Sequence, residues 1–192
     1  MTVLVLGLLI FIGVHLIPTS PPARDSLVAK LGPGPYKAAF SIASLIGFAL
    51  IVWGMGMARH SDVDLRLWTP PTWTRHIAFA LMWPAFILLV AAYIPSHIRV
   101  KAKHPMLAAV IVWALAHLLA NGDLAGLLLF GGFLAYAVYD RISVKKRGAL
   151  GPLGARHGGV LNDVVVVVVG TLAYLAMFRW GHPLLIGVPL IG

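Results

Sequence analysis

Apolar residues in this chain come in long blocks, not in alternation with polar ones. A membrane span needs about 17–25 mostly apolar residues, at about 1.5 Å of helical rise each. Six blocks meet or approach that length: Thr2–Ile17, ended by Pro18; Ala38–Met57; His76–Ile94, with Pro84 inside it as a kink; Pro105–Ala120; Leu124–Tyr139; and Val164–Phe178. Pro105 suits a first helical turn, where its missing N–H costs nothing. Asn162 and Asp163 suit the N-cap of the last block, and Asp123 that of the fifth. The run Val164–Val169 has strand propensity in water, but a single span in lipid must satisfy its backbone internally, so helix is the better assignment. The pattern predicts an all-α, polytopic membrane bundle of about six transmembrane helices, one domain over residues 1–192. The tail His182–Gly192, with Pro183 and Pro189, is too short to span and is expected at an interface or folded back on the bundle. The first block lacks a charged leader and a small-residue cleavage site, so it reads as a retained span.

Composition strengthens this picture. Apolar residues make up 60% of the chain and charged ones only 11%, against about 25% in soluble domains. So few charges cannot cover a water-facing surface; the outside must face lipid. There is no glutamate, and the six acids are all aspartate. The net charge of +9 does not point to nucleic acid, because the basic residues sit in short loops without the aromatic interleaving of single-strand binders. Their distribution gives orientation. Loops after blocks one, three and five carry Arg24, Lys30, Lys37, Arg99, Lys101, Lys103, Arg141, Lys145, Lys146, Arg147 and Arg156; the other loops and the termini carry only Arg59, Arg66, Arg75 and Arg179. By the positive-inside rule the first group is cytoplasmic and both termini are periplasmic, in a bacterial inner membrane. Trp53, Trp68, Trp73 and Trp180 then lie near the periplasmic face as interface anchors.

The inventory narrows the chemistry. Without cysteine there are no disulfides, thiolate sites or cysteine nucleophiles, and histidine is the strongest metal ligand left. No pair of carboxylates is placed for acid–base work, and no glycine-rich loop is placed to hold phosphate. His15 and His117 stand inside apolar blocks, where ionisable side chains are costly and turn to the bundle interior. One reading is a neutral imidazole bonded to a backbone carbonyl. The other is an axial haem ligand, since neutral imidazole commonly holds haem iron and bundles build cofactor sites from facing helices. Gly13, Ala114 and Ala116 would leave room for a flat ring, though small residues also serve plain helix packing. His104, before Pro105, fits a ligand, a helix-terminal polar group or a contact to an anionic head group. His60, His76, His97, His157 and His182 read as solvated or interfacial.

The stretch Lys103–Asp123, KHPMLAAVIVWALAHLLANGD, is similar to the central signature of the NnrU family, small bacterial membrane proteins linked to nitrite and nitric oxide respiration. Gly13–His15, Leu67–Trp73 (LWTPPTW), Leu88–Pro95 (LLVAAYIP) and Leu185–Val188 (LIGV) match as well. The same signature resembles 15-cis-ζ-carotene isomerase, a related membrane haem b protein. That resemblance implies haem b held by His15 and His117, with His104 as the first histidine of the signature. The chain departs from the isomerase in lacking its long N-terminal extension and in having Lys103 where arginine is common. The implied function is haem-based sensing or reductase maturation in nitrite and nitric oxide respiration, with reductase components as partners. The alternative is haem-dependent cis–trans isomerisation of a polyene; a third reading is a small transporter or a relative of lipid methyltransferases, from the loose likeness of Lys103–Met106 to an Arg-His-Pro motif. Counting rise per residue separates His15 from His117 by about 10 Å or more along the membrane normal. On depth, His15 with His104 is the competing pair.

Overall fold

The computed structural model describes residues 1–61, 65–151, 153–154 and 156–190. The helices are α1 (Thr2–Leu16), extended by a 3₁₀ turn Ile17–Thr19; α2 (Pro21–Leu31); α3 (Pro33–Arg59); α4 (Thr72–Ala91); α5 (His97–Ala102); α6 (Pro105–Ala120); α7 (Leu124–Lys146); and α8 (Val160–Ala176), continued by wider π-type turns over Met177–Ile186. The all-α membrane architecture expected from the blocks is what forms. Five segments are long and apolar enough to cross a bilayer: Thr2–Thr19, Pro33–Arg59, Thr72–Ala91, Leu124–Lys146 and Val160–Ile186. The sixth, α6, has 16 residues, about 24 Å of helix against a hydrocarbon core of about 30 Å.

Neighbouring helices follow the order α3, α1, α7, α6, α4, α8. Water cannot drive this packing, since lipid is as apolar as the side chains. Close backbone approach at small residues does so instead. Antiparallel α1 and α3 show it most clearly. A Cβ on Gly7 would lie 2.6 Å from the Ile51 nitrogen, one on Gly47 would lie 2.8 Å from the Phe11 nitrogen, and one on Gly54 would strike the Leu4 backbone. The same device joins α8 to α4, where a Cβ on Gly170 would come within 2.7 Å of the Ile87 Cα. Trp83 Nε1 also donates to Thr171 Oγ1 across that pair, at 2.9 Å. Leu4 and Leu8 of α1 then pack with Ile51 and Met55 of α3, Ala114 of α6 and Leu129 and Phe130 of α7 into one buried cluster.

Two ends of the bundle result. One holds Met1, the ends of α3 and α6, and the starts of α4 and α7. There the strap around Leu67 and Trp68 donates two backbone bonds to the Gly122 carbonyl (2.7 and 3.1 Å), and Leu124 N donates to the Leu65 carbonyl (2.9 Å). The opposite end gathers α2, α5, the start of α8 and all eleven cations assigned to the cytoplasmic group. Asp123 caps α7 as expected, accepting from Gly126 N at 2.6 Å.

Asn162 and Asp163 do not cap α8, which starts earlier, at Val160, with Gly159 as N-cap. They fasten α8 to the α4–α5 link instead: Asn162 Nδ2 donates to the Pro95 carbonyl (2.6 Å), and Asp163 accepts from His97 Nδ1 (2.7 Å) and Ile98 N (3.2 Å). Of the expected tail, residues 182–186 continue the helical turns after α8 and belong to its apolar segment, so only residues 187–190 fold back on the bundle; residues 191 and 192 lie outside the described residues. Two helices lie outside the six-block expectation. α2 has no buried residue and hence no apolar block to announce it. Its ends were written in Pro21 and Pro22 at the first turn and in Gly32, which closes it at φ +83°. α5 is six residues long, capped by Ser96.

A side chain at position 54 must therefore push α1 off α3. Gly54→Leu is expected to cost about 1–3 kcal/mol, as overpacking does, and to lower the Tm of the detergent-purified protein. Gly56→Leu, whose Cβ meets nothing within 4 Å, is expected to leave it near wild type.

Candidate functional site

A histidine inside a helix can shed one of its two polar atoms locally, because the carbonyl four residues back has a spare lone pair. His15 Nδ1 lies 2.7 Å from the Phe11 oxygen and His117 Nδ1 lies 2.8 Å from the Trp113 oxygen. A carbonyl only accepts, so in both residues Nδ1 carries the proton and Nε2 keeps its lone pair. A neutral imidazole in that tautomer can bind iron or another metal through Nε2. Exposed His60 bonds the Gly56 oxygen in the same way, at 2.8 Å. The bond alone therefore marks no site; the surroundings decide.

His15 is embedded among rings. It stacks on Phe11 (4.2 Å between centroids) and meets the edges of Phe40 (5.1 Å) and Tyr136 (6.0 Å). His117 stacks on Phe130 (4.5 Å) beside Trp113 (5.1 Å). Between the two runs a continuous aromatic partition: Phe11 on Phe133 (5.4 Å), Phe133 on Trp113 (5.6 Å), Trp113 on Phe130 (5.0 Å). His15 meets α7 at Tyr136 and His117 meets it at Phe130, about 9 Å apart along that helix. Two axial ligands of one iron stand within two metal–nitrogen bonds of each other, roughly 4 Å. His15 and His117 thus meet different turns of α7 on either side of that partition, and His104 lines a cavity at the opposite end of the bundle from the one His117 lines.

His117 opens instead onto a cavity of about 390 Å³ between α4, α6 and α8, closed over by the tail. This lies in the usual range of small-molecule sites, about 300–1,000 Å³. Phe79, Met82, Phe86, Tyr174 and Phe178 supply an apolar lining, and Ala116 leaves space beside His117. Ala114 belongs to the buried core cluster and Gly13 faces open space, so neither of those small residues borders the cavity. A second imidazole does line it. His182 Nδ1 donates to the Val188 carbonyl at 2.6 Å, which again leaves Nε2 with the lone pair. At the rim, Arg59 and Arg75 are exposed and hold the tail through long bonds to the carbonyls of Ile186 (3.3 Å) and Leu190 (3.4 Å).

His182, expected from the sequence to be solvated or interfacial, lines the cavity instead. The helical continuation past Phe178 is what carries it to the cavity. The available signal was the run Met177–Ile186, whose polar Arg179 and His182 interrupt an otherwise apolar segment.

Among the described residues no group of three or more His, Cys, Asp or Glu is placed to hold a bare metal ion. A porphyrin brings four nitrogens of its own and asks the chain for only one or two. It also needs an apolar slot and cations for its two carboxylates. His117, His182, the aromatic lining, Arg59 and Arg75 fit that demand.

The remaining histidines divide plainly. His97 is paired with Asp163, and His76 lies edge-on to Phe79 at 6.4 Å. His104 and His157 line a second, basic cavity at the opposite end of the bundle. There burial, followed by the neighbouring Arg141 guanidinium, pushes the His104 imidazole below its ordinary value.

Fold and cavity define a polytopic helical membrane protein with a histidine-bearing site inside the bundle. A family model described as NnrU protein matches residues 3–190, nearly the whole chain, and the chain belongs to the NnrU family. No curated protein and no solved structure matches it.

The depressed His104 value has a consequence for stability. The neutral imidazole favours the fold above the unfolded value of 6.5, and that contribution is lost as pH falls through and below it. Melting the detergent-purified protein at intervals from about pH 7.5 to pH 5 should show Tm falling on the acid side. His104→Gln should flatten that slope; an unchanged slope would show that His104 does not carry it.

Proposed function

We propose that this protein binds haem b in the α4–α6–α8 cavity and serves nitrite and nitric oxide respiration, in gas sensing or in reductase maturation. The observation that carries the reading is the meeting of His117 and His182, both with Nε2 lone pairs, in an apolar cavity rimmed by Arg59 and Arg75. His117 would hold the iron, since α6 and the stacked Phe130 ring fix its plane. His182 stands on the same cavity from the chain's last helical turns, and would supply a second ligand position. The arginines would hold the carboxylates by charge-assisted bonds, as guanidinium groups favour. His15 acts from behind the aromatic partition, as a packed and locally satisfied histidine. Haem held by these residues would supply a binding site for a small gas such as nitric oxide.

Family membership supports the respiratory context, and the charge asymmetry of the two ends supports an inner membrane with the basic end in the cytoplasm and both termini in the periplasm. A second reading, haem-dependent cis–trans isomerisation of a polyene, gains from the aromatic and methionine lining, which would also accept an extended apolar chain. Conversion of a cis-polyene by cells expressing the protein would favour it.

The test is a pyridine haemochrome assay on protein purified from haem-replete cells. Wild type is expected to carry about one haem b per chain, and His117→Ala to lose it about tenfold or more, the scale of losing a metal's direct ligand. His182→Ala should retain haem with altered axial bands, and Arg59→Gln with Arg75→Gln should bind it more weakly. His15→Ala should keep the wild-type spectrum. Wild type with no Soret band, or loss of haem in His15→Ala with retention in His117→Ala, overturns the assignment.

A further inference from the structure

At the end of the bundle opposite the haem cavity, a second cavity of about 440 Å³ opens between α5, the start of α6, the end of α7 and the loop that follows α7. Five cations line it: Arg99, Lys103, Arg141, Lys145 and Arg156, together with His104. No acid lines it among the described residues. Two of its arginines are set in place by the backbone alone. Arg99 is only 5% exposed, and donates to the carbonyls of Arg156 (3.0 Å) and Gly154 (2.6 Å). Arg141 donates to the carbonyls of His104 (3.2 Å) and Ala102 (3.3 Å). Neutral carbonyls orient a guanidinium without cancelling its charge, and a buried charge is costly unless an opposite charge meets it. Asp140, on the same stretch of α7, does not line the cavity; it bonds Arg147 and the Tyr136 hydroxyl, each at 3.5 Å, and its charge at His104 is outweighed by that of Arg141. The cavity therefore concentrates positive charge with room for an anion.

Its depth says which anion. α6 begins here at Pro105 and α7 ends here at Lys146, so the cavity lies where two apolar helices leave the hydrocarbon. That is the level of lipid phosphates, and basic pockets between helix ends at this level suit anionic head groups. Exposed Val100 and Leu150 border the same opening and can lie against acyl chains. We propose that this cavity binds the phosphate head group of an anionic phospholipid. A head group with two phosphates matches five cations better than one with a single charge. Arg99 and Arg141, already oriented, make the direct phosphate bonds, and Lys103 and Lys145 close around them.

The experiment avoids the two arginines, whose removal would also break the fold of this end. Lys103 sits at φ +62°, a conformation that glycine adopts freely, so Lys103→Gly removes a cation without straining the backbone. Lys145 is exposed. The double variant Lys103→Gly/Lys145→Gln should fold like wild type, which its Tm in phosphatidylcholine nanodiscs checks directly. Thermal melts are then compared in nanodiscs of phosphatidylcholine alone and with cardiolipin added, and in phosphatidylcholine with millimolar inorganic phosphate. Wild type should gain several degrees from cardiolipin and much less from phosphate, and the double variant should lose at least half of the cardiolipin gain. An equal gain from inorganic phosphate overturns the lipid as source, and a full cardiolipin gain in a normally folded double variant overturns the site. Neither outcome depends on haem, because the readout is melting and the residues lie at the other end of the molecule.

Discussion

Inside hydrocarbon there is no water to satisfy a stranded donor or acceptor, so every polar atom in the bundle must find its partner in the chain. The structure can be read as the working out of that constraint. His15, His60 and His117 turn one nitrogen to the carbonyl four residues back, and Thr19 donates to the Leu16 oxygen at 2.6 Å. Trp83 finds Thr171 on the neighbouring helix. Asn162 reaches the Pro95 carbonyl, and the buried guanidinium of Arg99 is held by two more carbonyls. Once these demands are met locally, a few polar groups still face open volume. Among them are the second nitrogens of His117 and His182 at one end and the cationic cluster at the other, while the buried Tyr36 hydroxyl and Ser44 Oγ are left without a partner among the described residues. Those two places are where the molecule has chemistry to spare.

Helix packing determines which groups end up there. Glycines 7, 47 and 54 draw α1 and α3 together until their backbones touch, leaving no space between them for a ligand. Aromatic rings from α1, α6 and α7 then fill the middle. On the α4, α6 and α8 side the tail lies over the bundle, held by a bond from His182 to the Val188 carbonyl and by longer bonds from Arg59 and Arg75. The cavity at that side is bounded by the three helices and by the segment that folds back over them.

Much of the architecture was legible in the sequence because lipid imposes long, uniform apolar blocks, and those blocks are the helices. The cap at Asp123, the return of the tail's last residues and the gathering of cations at one end followed from local chemistry of the same kind. What escaped was what has no block. α2 packs no residue into the core, and the α8 start at Val160 lies ahead of the polar pair that looked like its cap. At the site, His117 was visible because a histidine amid apolar residues is conspicuous. His182 was not, because its place on the cavity depends on helical turns continuing through Pro183. The separation of His15 from His117 was legible as a difference in depth. The aromatic wall between them was not, because it is assembled from Phe11, Trp113, Phe130 and Phe133 on three helices.

The central claim is that the chain consumes one nitrogen of His117 and leaves the other free toward the cavity. Imidazole ¹⁵N spectra of haem-free protein, selectively labelled at histidine in lipid bilayers and assigned by difference with His117→Gln, report this directly. The account predicts that His117 carries its proton on Nδ1 and has an aprotic Nε2 at neutral pH. A proton on Nε2, or on both nitrogens, would contradict it.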